Sequence, residues 1–269
     1  MPELPEVETT RRGIEPHVTD QAIDKIILRH QQLRWPISSE VAQLTGRRID
    51  QLTRRGKYLL MHLDHGHLIW HLGMSGSMRI LPVGTAAESH EHVEFQLANG
   101  QALKFRDPRR FGALLYSADD PLQHCLLQNL GPEPLSEEFT ADYLYQCCRG
   151  RSASIKTVLM NSHIVVGVGN IYASEALFQA GIRPGRAARR ISKPRLGTLV
   201  DAVQQTLSQA IEAGGTTLQD FTQADGKPGY FRHELQVYGN HGPCPHCGHA
   251  IKQVTLGQRA SYYCPQCQT

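Results

Sequence analysis

From about residue 22 to residue 116, apolar side chains recur at every second position. Ile26 and Leu28, Leu59 to Leu63, Ile69, and Val93, Phe95 and Leu97 answered by Leu103 and Phe105 read as half-buried strands. The last two runs flank Asn99-Gly100, a dipeptide suited to the positive φ of a tight hairpin. The pattern predicts a β-sandwich or barrel, preceded by a short helix near Pro5, where proline's fixed φ fits a first helical turn. After the stiff break Gly131-Pro132-Glu133-Pro134 the period becomes helical. Ser136, followed by Glu137 and Glu138, predicts a capped helix start, and Leu196, Leu199, Val200, Val203, Leu207 and Ile211 form a stripe that stops at Gly214-Gly215. Between them, a helix over 154–161, a turn through Val165 to Gly169 and a second helix from an Asn170 cap to Ala180 make a helix-turn-helix-like unit. That turn's Gly-x-Gly follows no strand and lacks a third spaced glycine, so it does not support a dinucleotide fold. The expected domains are 1–131, 135–225 and 235–269.

With 40% apolar and 20% charged residues, the chain is an ordinary globular protein and not a disordered tail. Its net charge of +3 is modest but uneven: residues 1–134 carry 15 cations and 16 anions, net −1, and residues 135–269 carry 13 and 9, net +4. Of 28 cations 21 are Arg, the side chain shaped for bidentate phosphate contacts. No run approaches the length of a membrane span, and Glu3, Glu6 and Glu8 stand where a signal peptide would be basic; the expected compartment is the cytoplasm.

Four of the seven cysteines crowd into Cys244-Pro-His-Cys247 and Cys264-Pro-Gln-Cys267, separated by residues 248–263. Two C-x-x-C turns at this separation place four thiolates around one Zn²⁺, and four thiolates leave no open position, so the metal is structural. The hairpin between them presents Gln258-Arg259-Ala260, and His246 and His249 read as exposed loop residues. Cys125, Cys147 and Cys148 read as inert packing residues.

At the other end, Met1-Pro2 permits removal of the initiator Met. The secondary amine so exposed has an ordinary pKa of about 7.7 to 8.0 and can attack a sugar carbon, with Glu3 beside it as acid or base. The string Pro2-Glu-Leu-Pro-Glu-Val-Glu8, with Arg54-Arg-Gly-Lys57-Tyr-Leu-Leu60, His71-Leu-Gly-Met-Ser-Gly76, Asp107-Pro-Arg-Arg-Phe-Gly112, Val166-Gly-Val-Gly-Asn-Ile-Tyr-Ala-Ser174, Gly226-Lys-Pro-Gly229 and the zinc cysteines, resembles the formamidopyrimidine-DNA glycosylases in order and spacing. The resemblance implies an α+β multidomain fold: N-terminal β-sandwich, helix-two-turn-helix domain and C-terminal zinc ribbon.

It further implies a bifunctional glycosylase and abasic-site lyase, monomeric, acting on duplex DNA that contains oxidised purines or abasic sites. Pro2 would attack C1′, Glu3 would act as acid, and Lys57 would serve the ensuing β,δ-elimination. Arg259 occupies a position tied to the final elimination; since guanidinium does not readily deprotonate, phosphate clamping explains that requirement more simply. Met74, Arg109 and Phe111 would fill the void of the extruded base, and His71, His90, Arg151, Lys156 and Asn170 would contact DNA. The segment from Thr216 to Phe231 resembles a lesion-covering loop, and the basic run 183–195 reads as a solvated connector. Two readings compete: the endonuclease VIII branch, against which Leu4 and the Met74, Arg109, Phe111 set argue, and a zinc-ribbon DNA-binding protein without catalysis.

Overall fold

The computed structural model describes residues 2–216 and 231–269. Met1 and 217–230, hence the Gly226–Gly229 stretch of the expected covering loop, lie outside the described residues. The chain divides into two compact units, one of Met1–Gln128 with Ala213–Tyr230, the other of Asn129–Glu212 with Phe231–Thr269.

The first unit opens with helix α1 (Leu4–Val18), which has proline in its first turn as expected. Eight strands follow: β1 (Gln21–Leu28), β2 (Arg48–Arg55), β3 (Tyr58–Leu63), β4 (His67–His71), β5 (Ser77–Pro82), β6 (Glu91–Leu97), β7 (Gln101–Arg106) and β8 (Ala113–Ser117). Their order is β5-β7-β6-β1-β2-β3-β4-β8. β1 belongs to both halves: Gln21 and Ala22 pair with β2, and Ile23 to Leu28 pair with β6, with a bulge between Ile23 and Lys25. The sheet folds over at this strand, as bulges allow, and closes on an apolar interior in which Trp70 of β4 meets Phe95 and Phe105 edge-on at 5.7 and 5.4 Å. This is the sandwich. The expected alternation is only partial in β6 and β7, because their polar face is covered too. Lys104, 1% exposed, donates to Thr85 O, Ala86 O and Glu91 Oε2, and Glu94 lies opposite it in the ladder.

The second unit is helical. α2 (Ala141–Cys148) begins four residues later than a Ser136 cap suggests, because Thr140 takes the cap and accepts from Tyr143 N at 3.1 Å, while Ser136 Oγ donates to Glu133 O instead. Ser154 caps α3 (Ile155–Leu159) through Thr157 N. α4 (Asn170–Gln179) has Gly169 at its cap, so Asn170 is its first residue and not its cap. α5 (Lys193–Glu212) buries the whole predicted stripe. The basic run is more than a connector: Arg183 stacks on Tyr263 and donates to Pro265 O, and Arg195 donates to Gly181 O and Thr269 O. Of the three cysteines read as packing residues, Cys148 is buried, whereas Cys125 is exposed.

β9 (Lys252–Leu256) and β10 (Arg259–Tyr263) form the ribbon around a two-residue turn, Gly257 and Gln258, both at positive φ (53° and 62°). The four cysteine sulfurs lie within 4.8 Å of one another, with Cys244–Cys267 at 3.9 Å and Cys247–Cys264 at 3.4 Å. Tetrahedral Zn–S bonds of about 2.3 Å set sulfurs about 3.8 Å apart, so the donors fit one zinc ion held by thiolates alone. Beyond the cysteines, the ribbon's core is one small cluster in which Cys244 and Cys264 pack with Phe178 and Val237.

So small a core depends on its metal. Cys264→Ser, or chelation, is expected to abolish amide protection in β9 and β10. Trp35 and Trp70, the chain's two tryptophans, both lie in the first unit and will report an unchanged sandwich unfolding midpoint. A ribbon still protected in metal-free protein would contradict this.

Candidate functional site

Pro2 and Glu3 are buried at the head of α1. Glu3 N donates to Glu6 Oε2 at 2.7 Å, one arm of a capping box, while Glu6 Oε1 accepts from Thr216 N (2.9 Å) and Thr216 Oγ1 (2.8 Å). Glu6 lies in the N-terminal string, yet its role is visible only in the fold, because its second partner is 210 residues away. Gly215, at φ 78°, lies against it, where a Cβ would come 3.2 Å from the carboxylate.

One turn later Glu8 joins α1 to β2. Burial pushes its carboxyl pKa up, but hydrogen bonds from Arg11, Arg12 and Arg54 outweigh this and hold it below the ordinary value. Arg54 donates Nε to Glu8 Oε2 and NH1 to Gly56 O, both at 3.0 Å. The carbonyl belongs to the tight turn between β2 and β3 that carries Lys57. Lys57 therefore sits in a hairpin turn, half-buried.

His71 ends β4. Burial, then the charges of Lys57 and Arg34, push its pKa down to about 4, so the ring is neutral near pH 7. Its Nδ1 accepts from Gly73 N at 2.9 Å, which leaves the proton on Nε2. His90 is exposed at φ 68°, and its carbonyl accepts from Asp107 N.

Two loops of the first unit carry Met74 and the pair Arg109 and Phe111. Phe111 is 44% exposed, which excludes core packing, and the Arg109 guanidinium lies 5.0 Å from its ring centroid. Met74 is half-buried. The loops touch backbone to backbone: a Cβ at Gly73 would come 2.4 Å from Phe111 C, and one at Gly112 would come 2.8 Å from His71 O. Buried Asp107 joins them. Its Oδ1 accepts from Ser75 Oγ (2.8 Å), its Oδ2 from Gly112 N (2.7 Å), and Ser75 Oγ in turn accepts from Arg109 N (3.2 Å). Asp107 opens the Asp107–Gly112 motif, but nothing local in the sequence reveals this bridge.

In the second unit Arg259 is exposed at the ribbon turn. Lys156 is buried at 1% exposure, and its ammonium donates to Ser261 Oγ (2.8 Å) and Ala260 O (3.2 Å), tying α3 to β10. Arg151 Nε turns back to Cys147 O at the end of α2. Asn170 Nδ2 donates to Tyr238 OH at 3.4 Å, and its buried Oδ1 has no hydrogen-bond partner among the described residues. No helix among the described residues is long and apolar enough to cross a membrane.

Comparison with known proteins adds to this geometry. Residues 1–114 match the formamidopyrimidine-DNA glycosylase N-terminal domain, 130–222 the formamidopyrimidine-DNA glycosylase H2TH domain, and 242–269 a zinc finger found in FPG and IleRS. The chain is 54% identical over the full length of both chains to a formamidopyrimidine-DNA glycosylase of Photobacterium profundum, and 56% identical, likewise end to end, to one of Stenotrophomonas maltophilia. Among solved structures, a mutant of the Lactococcus lactis protein bound to DNA containing Fapy-dG superimposes with a TM-score of 0.93 at 32% identity, covering 100% of both chains. The Thermus thermophilus protein gives 0.89 at 38% identity, covering 99% of this chain and 98% of the other.

Two outcomes follow from the geometry. Asp107→Asn places an amide donor against a donor, either Gly112 N–H or Ser75 Oγ–H, and is expected to destabilise the first unit by about 1 to 3 kcal/mol in denaturant unfolding and to speed exchange of the Gly112 amide; wild-type exchange would show that the bridge is not needed. For His71, the folded pKa lies below the ordinary 6.5, so its contribution to stability is present above pH 6.5 and is lost as pH falls toward 4. Ring ¹⁵N shifts should show an Nε2–H tautomer that protonates with a midpoint near 4, and a midpoint near 6.5 would refute the burial argument.

Proposed function

The chain belongs to the formamidopyrimidine-DNA glycosylase family of oxidised-base repair enzymes, and from that premise we propose that it excises oxidised purines from duplex DNA and then cuts the strand, with Pro2 as nucleophile. A base inside a duplex cannot offer C1′ to an amine, so the nucleotide has to be rotated out of the stack. Met74 and Phe111 enter the gap, and Arg109 hydrogen-bonds the orphaned partner, cytosine. The carrying observation is the held N-terminus: Glu3 is fixed through Glu6, and α1 is tied by Glu8 and Arg54 to the turn that bears Lys57.

Removal of Met1 frees the Pro2 nitrogen, whose lone pair forms a bond to C1′ as the bond from C1′ to the base breaks and the base departs with a proton. Glu3 protonates the ring oxygen of the sugar, the ring opens, and a Schiff base remains on Pro2. Loss of a proton from C2′ expels the 3′ phosphate, the second elimination expels the 5′ phosphate, and hydrolysis frees the enzyme. Lys57 binds an adjacent phosphate and serves these eliminations. Arg259 clamps a phosphate, and His71, through its Nε2 proton, with His90, Arg151, Lys156 and Asn170, contributes to holding the DNA. Lys156 does so mainly by seating β10, since its ammonium already donates to that strand.

Single-turnover excision on an 8-oxoguanine:cytosine duplex tests this reading. Any residue left in front of Pro2 turns its nitrogen into an amide whose lone pair is delocalised, so an N-terminally extended chain should lose excision by several orders of magnitude while still binding the duplex. Glu3→Gln should bind and excise slowly. Undiminished excision by the extended chain would reject Pro2 as nucleophile, and a processed chain that prefers thymine glycol would assign the pyrimidine branch instead.

A further inference from the structure

Helix α4 carries one acid, Glu175, which the proposed chemistry does not use. Glu175 is 2% exposed and packs on the segment that leads into the ribbon. Its Oε2 accepts from Gln236 N (2.9 Å), and its Oε1 accepts from Val237 N (3.0 Å) and Tyr238 N (2.7 Å). Three consecutive backbone donors converge on one carboxylate. Burial raises its pKa, and the three amides oppose that rise.

What this segment touches gives the clamp a consequence. Val237 packs with Phe178 of α4 and with the zinc ligands Cys244 and Cys264. Tyr238 points its hydroxyl at the Asn170 amide, while its ring lies 5.4 Å from that of Tyr262 on β10, the strand that begins with Arg259. Fixing residues 236–238 on α4 therefore sets Asn170 and the Arg259 hairpin in one register. We propose that Glu175 is a positioning residue for DNA binding: its carboxylate clamps Gln236–Tyr238 to α4, and Tyr238 relays that placement to Asn170 on one side and to the zinc ribbon on the other. The inference rests on the reading that α4 and the ribbon hold DNA. Simple anchorage of the ribbon would use the same three bonds but would not require the Tyr238 hydroxyl.

The test uses the full-length, zinc-loaded, N-terminally processed protein and a duplex containing a tetrahydrofuran abasic analogue. Glu175→Gln keeps the shape and one acceptor oxygen but sets an amide against a backbone N–H. It should retain one zinc per chain and weaken binding about tenfold, the scale of one charge-assisted hydrogen bond. Base excision from the saturated complex with an 8-oxoguanine duplex should stay within about twofold of wild type, since Glu175 does not act on the reacting atoms. Tyr238→Phe should weaken binding with zinc intact, and adding Glu175→Gln to it should cost less than it does in wild type.

Wild-type affinity in either single variant with zinc in place would overturn the proposal, and so would fully additive losses. If Glu175→Gln sheds its zinc, Tyr238→Phe decides alone: weakened binding supports the relay and unchanged binding ends it. Failure of the unmodified protein to bind the duplex or to excise the lesion would instead strike the glycosylase reading on which the inference rests.

Discussion

A carboxylate taken out of water must be given donors, and a buried donor left without its carboxylate costs about 1 to 3 kcal/mol. Three buried acids meet that requirement with donors from distant segments, backbone N–H groups for Glu6 and Glu175 and the Ser75 hydroxyl for Asp107. Asp107 binds the loop that carries Met74 to the one that carries Arg109 and Phe111, Glu6 joins the head of α1 to Thr216, and Glu175 fastens residues 236–238 to α4. Apolar packing tolerates small shifts, whereas these bonds weaken steeply with distance and angle. Each carboxylate thus holds residues of the proposed site that local secondary structure alone would leave on loops or chain ends.

The charged residues divide the work differently in each unit. Around the N-terminus Glu8 collects Arg11, Arg12 and Arg54, so that three guanidinium groups near the proposed site are committed to structure. Lys57 and neutral His71 lie close enough that the lysine helps keep the imidazole unprotonated. A neutral histidine beside a cation avoids like-charge repulsion and still offers one donor to a phosphate. In the second unit the buried Lys156 ammonium spends its bonds on the ribbon, leaving Arg259 exposed at a turn that the zinc and Lys156 hold from two sides.

Much of this is legible in the sequence alone. The period-two runs, the Asn99-Gly100 turn, the stripe of α5 and the spacing of four cysteines are local patterns, and each corresponds to an element of the fold. Local rules misplace the start of α2, where Thr140 outcompetes Ser136 for the cap. They also miss what depends on long-range partners: the Asp107 bridge, the Glu6–Thr216 and Glu175 clamps, and the burial of Lys104 and Lys156. A buried lysine and a solvated one look the same in a sequence, because the groups that cover them come from elsewhere in the chain.

In the proposed chemistry the amine at the head of α1, and not the lysine of the neighbouring turn, carries the covalent bond to the sugar. Borohydride reduction during reaction with an 8-oxoguanine:cytosine duplex traps that bond, and peptide mass mapping locates it. A single adduct on the N-terminal peptide, at Pro2, is expected in the chain lacking Met1. An adduct on the peptide that contains Lys57 would contradict it.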